Sequence, residues 1–218
     1  MKNVPRIFIG QNIESGNIIP VDKSVAHYLS HVMRRNDCLV FGDGNEYSAT
    51  LNADGKTMKI GEKTDHIDPS GDITLYFAPI KRLDDMLNMA TQMGVAKLVP
   101  VITERTVAQH INWERMKKIV IEASEQSNRN SVPEIIAPIK FADLPFSDLV
   151  FADERAAYGH KLPSEYKNIK NVLVGPEGGF SDKEFEVLDK NGAKGLSLGK
   201  TILRAELAAP IAISRVLK

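Results

Sequence analysis

The 218-residue sequence contains a single cysteine, Cys38. One cysteine excludes an internal disulfide framework and is typical of a protein in a reducing cytosol. No run approaches the roughly 20 apolar residues that a membrane helix needs. The first six residues, Met1-Lys2-Asn3-Val4-Pro5-Arg6, lack the apolar core of a signal peptide. We therefore predict a cytoplasmic protein without a membrane segment.

The sequence also lacks an excess charge of either sign, because 28 Lys and Arg residues balance 28 Asp and Glu residues. A non-specific nucleic-acid binder normally has a basic excess, so this balance counts against that class, although local basic patches are still possible. The composition, 43% hydrophobic and 26% charged, is ordinary for a globular protein with a real core. The length suits one large domain or two smaller ones.

Several common functional motifs are absent. No Gly-x-Ser-x-Gly nucleophile turn occurs. No glycine turn has the Gly-x-Gly-x-x-Gly spacing or the Gly-Lys-Ser/Thr ending of a phosphate loop. The hypothesis of an enzyme that acts on a phosphorylated small molecule is therefore supported by the glycines alone. His27 and His31 have the i, i+4 spacing of a metal-binding pair, but no third ligand lies nearby in the sequence. We predict no metal site.

The apolar patterning divides the chain near a polar segment, residues 65–72, that contains Pro69 and Gly71. Before it, an amphipathic helix is predicted over residues 21–34, with Val25, Tyr28, Leu29 and Val32 on one face. Short strands are predicted at residues 6–9, 39–41, 47–51 and 57–60.

After the boundary, predicted strands and helices alternate, which indicates an α/β domain with a mostly parallel sheet. The strands are residues 73–77, 98–102, 149–152, 172–174 and 196–198. The helices are residues 83–93, 113–126, a capped helix after Ser181, and 205–217.

Two apolar runs near the end of the sequence stop at glycine turns. Residues 172–181 read Val-Leu-Val-Gly-Pro-Glu-Gly-Gly-Phe-Ser, and residues 195–206 read Gly-Leu-Ser-Leu-Gly-Lys-Thr-Ile-Leu-Arg-Ala-Glu. Ligands in open α/β sheets bind beyond the carboxyl ends of the strands, so we expect both turns to build one pocket, largely from backbone. Ser181 and Glu184 predict a capping box, and Glu177 with Glu184 favours a cationic or zwitterionic ligand. The glycines alone are equally consistent with a well-capped helix after a buried strand.

Together the two turns closely resemble those of the 16S ribosomal RNA uridine-N3 methyltransferase family, which belongs to the SPOUT superfamily. Residues 5–8, 27–34, 104–107 and 123–133 also resemble segments of that family, so the resemblance covers nearly the whole chain. There are departures from the family pattern. Leu207 stands where Thr is usual, Met89 and Gln92 stand where Lys and Glu are common, and Pro210 lies inside the predicted last helix.

The resemblance implies an α/β protein with two domains: a small PUA-like RNA-binding β-barrel over residues 1–70 and a SPOUT methyltransferase domain over residues 71–218. The second domain would contain the mostly parallel sheet and a C-terminal trefoil knot, and would form a homodimer. The implied reaction is methylation of N3 of a specific uridine in 16S rRNA of the small ribosomal subunit, with S-adenosylmethionine as cofactor. A catalytically silent RNA-binding ribosome-assembly factor of the same fold is the alternative, motivated by Leu207 and the zero net charge.

The resemblance also implies roles for individual residues. The cofactor-binding positions would be Gly175, Pro176, Glu177, Gly178, Gly179, Leu198, Gly199, Ile202 and Leu203. Arg204 would stabilise the developing uracil anion, and Glu206 would accept the proton or orient Arg204, unless the two form a plain ion pair at a helix start. The candidates for RNA contacts are Arg6, Arg34, Arg105 and Arg129, each of which could equally be a structural salt-bridge residue.

Overall fold

The computed structural model describes residues 4–42, 44–107, 111–163, 166 and 169–217. The chain forms two compact units. The first consists of Met1–Ser70 and Ile121–Val132, and the second of Gly71–Val120 and Pro133–Lys218. Within the described ranges, every helix is too short or too polar to cross a membrane.

The described residues of the first unit form a five-stranded sheet in the order β1-β3-β4-β5-β2, in which only the β1–β3 pair is parallel among the recorded pairs. The four strands predicted from apolar patterning are confirmed. The additional strand, β2, is only three residues long, which is too short to show an alternating pattern. The strands are β1 (Arg6–Phe8), β2 (Ile18–Pro20), β3 (Asp37–Phe41), β4 (Glu46–Leu51) and β5 (Thr57–Lys63).

The helical segment of this unit is shorter and less regular than the sequence predicts. It comprises α1 (Lys23–His27) and a π-helical turn (Tyr28–Val32), in which the Met33 amide donates to the Tyr28 carbonyl at 2.9 Å. Leu29 is buried as expected, whereas Tyr28 and Val32 are 40% and 62% exposed, so the predicted apolar face is wrong at both positions. The i→i+5 bonding of a π turn rotates later side chains away from the face that a 3.6-residue period predicts.

The second unit contains a seven-stranded sheet. The order is β12-β10-β11-β6-β7-β8, with β9 also beside β7, and all recorded strand pairs are parallel. The predicted α/β fold with a mostly parallel sheet is confirmed. The last strand ends at Leu196, two residues earlier than predicted, so Leu198 belongs to the turn. The strands are β6 (Thr74–Phe77), β7 (Lys97–Ile102), β8 (Glu134–Ile135), β9 (Ile139–Lys140), β10 (Leu149–Ala152), β11 (Asn171–Val174) and β12 (Lys194–Leu196).

Four helices accompany this sheet, together with short 3-10 turns. The last helix buries mainly small residues, and it packs against α2 and against strands β10 and β11. Pro210 lies inside that helix, as the sequence predicts. The helices are α2 (Leu83–Gln92), α3 (Trp113–Gln126, which continues into the first unit's segment), α4 (Asp182–Lys190) and α5 (Ala205–Val216).

Candidate functional site

A cavity of about 410 Å³ opens at the carboxyl ends of β10 and β11. Its volume lies within the roughly 300–1,000 Å³ typical of small-molecule sites. Its lining residues come from four segments: Lys81 and Arg82, part of residues 152–157 at the end of β10, part of residues 174–180 at the end of β11, and part of residues 198–208 after β12. The two glycine turns therefore meet at one cavity, as the sequence predicts.

The structure brings together almost all of the residues predicted to bind the cofactor. Every one of them lines the cavity except Gly178. That glycine instead lines a second cavity of about 430 Å³, which Lys81, Glu104, Arg105 and Glu177 also line. Arg204 and Glu206, the two residues with a predicted catalytic role, both line the first cavity.

The first glycine turn is held by side chains on both of its flanks. Ser181 forms the predicted capping box with Glu184 at the start of α4. The Ser181 hydroxyl also donates to Oε2 of Glu104 at 2.7 Å, and the Glu104 amide donates to Oε1 of Glu184 at 2.8 Å. Arg105 Nη1 donates to the carbonyl oxygens of Gly178 and Phe180 at 2.9 and 3.2 Å. These bonds fix the path of the turn without a ligand.

The second glycine turn is more open. Gly199 has φ +139°, a value that L-residues rarely adopt, and a Cβ there would meet no atom within 4 Å. Thr201 and Ile202 are exposed, Ile202 by 55%. From the part of the chain that the structure describes, no side chain forms a hydrogen bond with residues 198–203.

An ion-pair network centred on Arg155 connects the end of β10 to α4. The Asp153 side chain is fully buried at the end of β10, and its carboxylate binds Arg155 Nη2 at 2.7 Å. The guanidinium of Arg155 also donates to both oxygens of Asp189 on α4, at 2.8 and 3.0 Å, and lies 4.2 Å from the Phe185 ring centroid. The hydrogen bonds to Asp189 and Asp153 raise the pKa of Arg155, and the bond to Asp189 has the larger effect. The same bond lowers the pKa of Asp189.

The remaining charges of the cavity divide into partnered and unpartnered groups. Glu177 accepts the Lys81 amide at 2.8 Å, and Glu206 lies 3.7 Å from Arg82 Nε. The plain Arg204–Glu206 ion pair, which the sequence left open as an alternative, is absent from the described residues, and Glu206 lies beside Arg82 instead. The side chains of Arg204 and Glu154 have no hydrogen bond or ion pair with any residue in the described ranges.

The four arginines predicted to contact RNA have different environments. The Arg6 side chain is only 8% exposed, and it binds Glu46 at 2.8 Å and Asn130 at 2.7 Å. Arg129 is 2% exposed, and burial lowers the pKa of its guanidinium. A phosphate has no access to these two side chains in this structure. Arg34 and Arg105 are exposed, and Arg34 has the unusual φ of +53°.

Comparison with known proteins supports a specific family. An RNA methyltransferase domain family model matches residues 68–217. The protein named ribosomal RNA small subunit methyltransferase E in Rickettsia conorii is 34% identical, over 97% of this chain and 94% of that protein. Its counterpart in Aquifex aeolicus is 30% identical, over 95% of this chain and 97% of that protein.

This chain belongs to the ribosomal RNA small subunit methyltransferase E family. A crystal structure of the Neisseria gonorrhoeae member, described as bound to S-adenosyl methionine, is similar to it with a TM-score of 0.84 and 26% identity, covering 97% of this chain and 96% of that one. A probable rRNA-methyltransferase from Porphyromonas gingivalis has a TM-score of 0.80 and 27% identity, covering 97% and 96%.

Sequence reasoning missed four charged residues that line the first cavity: Lys81, Arg82, Asp153 and Glu154. A signal for the two acidic residues was present, because they directly follow the apolar run 149–152, and the carboxyl ends of parallel strands carry ligand sites. Lys81 and Arg82 precede α2 and have no local motif.

The two histidines with metal-binding spacing, His27 and His31, stack with ring centroids 4.6 Å apart. No group of three or more potential metal ligands occurs among the described residues.

Proposed function

We propose that this chain transfers a methyl group from S-adenosylmethionine to N3 of a specific uridine in the 16S rRNA of the small ribosomal subunit. The family membership supports methylation of ribosomal RNA. The structural observation that carries the proposal is the meeting of both glycine turns at one cavity, beside Arg204, which has no ion pair with any described residue. The Neisseria gonorrhoeae structure, described as bound to S-adenosyl methionine, supports the choice of cofactor.

The residues of the cavity fit this cofactor. S-adenosylmethionine joins a flat, mostly apolar adenine ring to a charged methionyl end, so it needs both kinds of surface. Leu198, Ile202 and Leu203 supply apolar surface from the second turn, while Glu154 supplies a negative charge that has no partner among the residues that the structure describes. We assign the adenine ring to the three aliphatic side chains and the charged end to the polar part of the cavity. When bound, the cofactor supplies the electrophilic methyl carbon.

Arg204 is the residue that we assign to the acceptor base. It is the N-cap residue of α5, where the positive end of the helix dipole disfavours a cation. An anionic partner removes this conflict, and uracil becomes anionic when N3 loses its proton. The guanidinium can donate to a uracil oxygen while negative charge develops there, as donors do in an oxyanion hole.

Glu206 is our candidate for the proton acceptor. Its side chain is 12% exposed, and its carboxylate is held 3.7 Å from Arg82 Nε at the first turn of α5. Among the described residues, the cation beside Glu206 is Arg82 and not Arg204, so we assign to Arg82 the role of orienting the Glu206 carboxylate. Holding the acceptor nitrogen and the donor methyl in line supplies on the order of 7–11 kcal/mol of barrier lowering.

For the RNA surface, we propose that residues 1–70 act as a PUA-like RNA-binding domain and residues 71–218 as the SPOUT methyltransferase domain. Arg34 and Arg105 are exposed and suit phosphate or base contacts. For Arg6 and Arg129 we propose structural roles, because both are buried.

We further propose a trefoil knot in the C-terminal domain and a homodimer formed through it, in the cytoplasm where ribosomal subunits are assembled. The order β12-β10-β11, in which the last strand lies outside an earlier one, supports the knot. Leu207 and Leu217, which are 45% and 47% exposed on or beside α5, provide apolar surface for a second copy.

Methyl transfer should be measured with purified protein, small ribosomal subunits that lack the modification, and radiolabelled S-adenosylmethionine. We expect label in 16S rRNA, recovered as 3-methyluridine after digestion. Arg204→Ala should bind the cofactor normally but transfer roughly 100-fold more slowly. Arg215→Ala, which removes an exposed arginine elsewhere on α5, should transfer at the wild-type rate. Folded protein that binds both cofactor and subunit without transfer would instead support the silent assembly factor.

A further inference from the structure

One carboxylate in the cavity differs from the other three. Asp153 binds Arg155, Glu177 accepts an amide, and Glu206 lies beside Arg82. The Glu154 side chain lines the same cavity and is only partly exposed, yet it has no hydrogen bond or ion pair with any residue that the structure describes.

The position of Glu154 is fixed by its neighbours. It is the first residue of the 3-10 turn Glu154–Tyr158, for which Asp153 is the N-cap residue. The Asp153 carboxylate accepts from the Arg155 amide at 3.0 Å and also holds the Arg155 guanidinium. The backbone at Glu154 is therefore held on both sides, whereas its side chain has no partner among the residues whose structure is described.

Gly179 explains how the carboxylate comes so close to the first glycine turn. This glycine has φ +67°, and a Cβ added to it would clash with Oε1 of Glu154. The carboxylate therefore lies against the backbone of the turn, in space that any other residue at position 179 would fill. Glycine at position 179 therefore allows both the positive φ of the turn and the close approach of the Glu154 carboxylate to its backbone.

A partly buried carboxylate without a partner is unfavourable unless a ligand supplies positive charge. The bound cofactor has two positive centres, the α-ammonium group and the sulfonium. Only the ammonium has N–H donors that can bond to a carboxylate. We infer that Glu154 binds the α-ammonium group of S-adenosylmethionine and thereby selects ligands with an intact methionyl end. This inference rests on the proposed function.

The test is a calorimetric titration of wild type, Glu154→Gln and the control Glu186→Gln with three ligands. S-adenosylmethionine has both positive centres, S-adenosylhomocysteine has only the ammonium, and 5′-methylthioadenosine has neither. We expect Glu154→Gln to weaken the first two alike, by roughly 10- to 100-fold, and to leave the third within about twofold. Glu186 is exposed on α4, and its substitution should change nothing.

Other outcomes overturn the inference. Weakening of S-adenosylmethionine alone would assign Glu154 to the sulfonium, and weakening of all three ligands would assign it to the adenosine part. Unchanged binding with slower methyl transfer would make it a proton acceptor. If Glu154→Gln does not fold, as judged by circular dichroism, Glu154→Asp is titrated in its place. Lower affinity for S-adenosylmethionine and S-adenosylhomocysteine, with unchanged affinity for 5′-methylthioadenosine, supports the inference. Unchanged affinity for all three ligands refutes it. Failure of the wild type to bind S-adenosylmethionine would instead refute the proposed function.

Discussion

The two glycine turns that line the cavity differ in how they are held. The turn after β11 is fixed by Ser181, Glu104 and Arg105 before any ligand arrives. The turn after β12 has exposed residues and, in the described ranges, no side-chain hydrogen bond along residues 198–203. The first turn is a preorganised wall, which lowers the entropy lost on binding, whereas the second can adjust around the ligand.

This difference suggests that the two turns contact different parts of the cofactor. On the proposed assignments, the rigid wall, against which Glu154 lies, would select the methionyl end, and the adaptable wall with Ile202 and Leu203 would cover the adenine ring. The methyl group must be placed in line with the acceptor, so rigidity is most useful near the reacting centre. Four substitutions separate the contribution of each turn.

The largest effect is expected from Arg155→Ala, which removes the ion-pair network that connects the end of β10 to α4. It leaves the fully buried carboxylate of Asp153 without its partner, and Asp153 joins β10 to β12 through a backbone bond to Leu196 at 3.1 Å. We expect a loss of about 3–5 kcal/mol in the free energy of unfolding, measured by urea denaturation. Arg215→Ala is the matched control. A loss below about 1 kcal/mol would show that the network does not support the turns.

Ser181→Ala should loosen the first turn alone. The substitution removes the N-cap acceptor of α4 and the hydroxyl that donates to Glu104. We expect a loss of about 1–2 kcal/mol in the free energy of unfolding, together with weaker S-adenosylmethionine binding by calorimetry. Ser214→Ala, at an exposed site on α5, should change neither quantity. Unaltered cofactor affinity in a destabilised Ser181→Ala protein would contradict the rigid-wall interpretation.

Asp189→Asn should produce a smaller, pH-dependent effect, because the Asp189 side chain is half exposed. The hydrogen bond with Arg155 lowers the pKa of Asp189 in the folded protein. A lowered pKa contributes stability above the ordinary aspartate pKa, and that stability is lost as the pH falls through the folded value. The variant should therefore be less stable than wild type at neutral pH and converge with it in acid. Thermal unfolding across this pH range measures the difference, and Asp143→Asn is the exposed control.

The smallest effect on stability is expected from Ile202→Ser in the second turn. Ile202 is already 55% exposed, so the free energy of unfolding should change by no more than about 0.5 kcal/mol. Cofactor affinity should nevertheless fall roughly tenfold, since the ligand would bury this side chain. Ile67→Ser, at an 85% exposed site in the first unit, should affect neither. Equal affinity of Ile202→Ser and wild type would remove Ile202 from the adenine site.

Local sequence signals predicted the regular elements well but not the long-range partnerships. The capping box at Ser181, the strand 149–152 and the helix 113–126 all follow from spacing and composition. The π turn at Tyr28 and the early end of β12 depend on bonds that tertiary structure selects. The ion pair between Arg82 and Glu206 could not be predicted, because these residues lie far apart in the sequence and meet only when α2 packs against α5.

The strand order of the second unit also constrains when the enzyme can become active. β12, the last strand to be synthesised, pairs with β10, and the cavity needs residues from Lys81 through Ala208. Pairing between strands distant in sequence is slow, because closing the intervening chain costs entropy before the contacts form. On the proposed assignment, a nascent chain would therefore not retain its cofactor until residues through Ala208 have left the ribosome, so cofactor binding would be a late step in the folding of this unit.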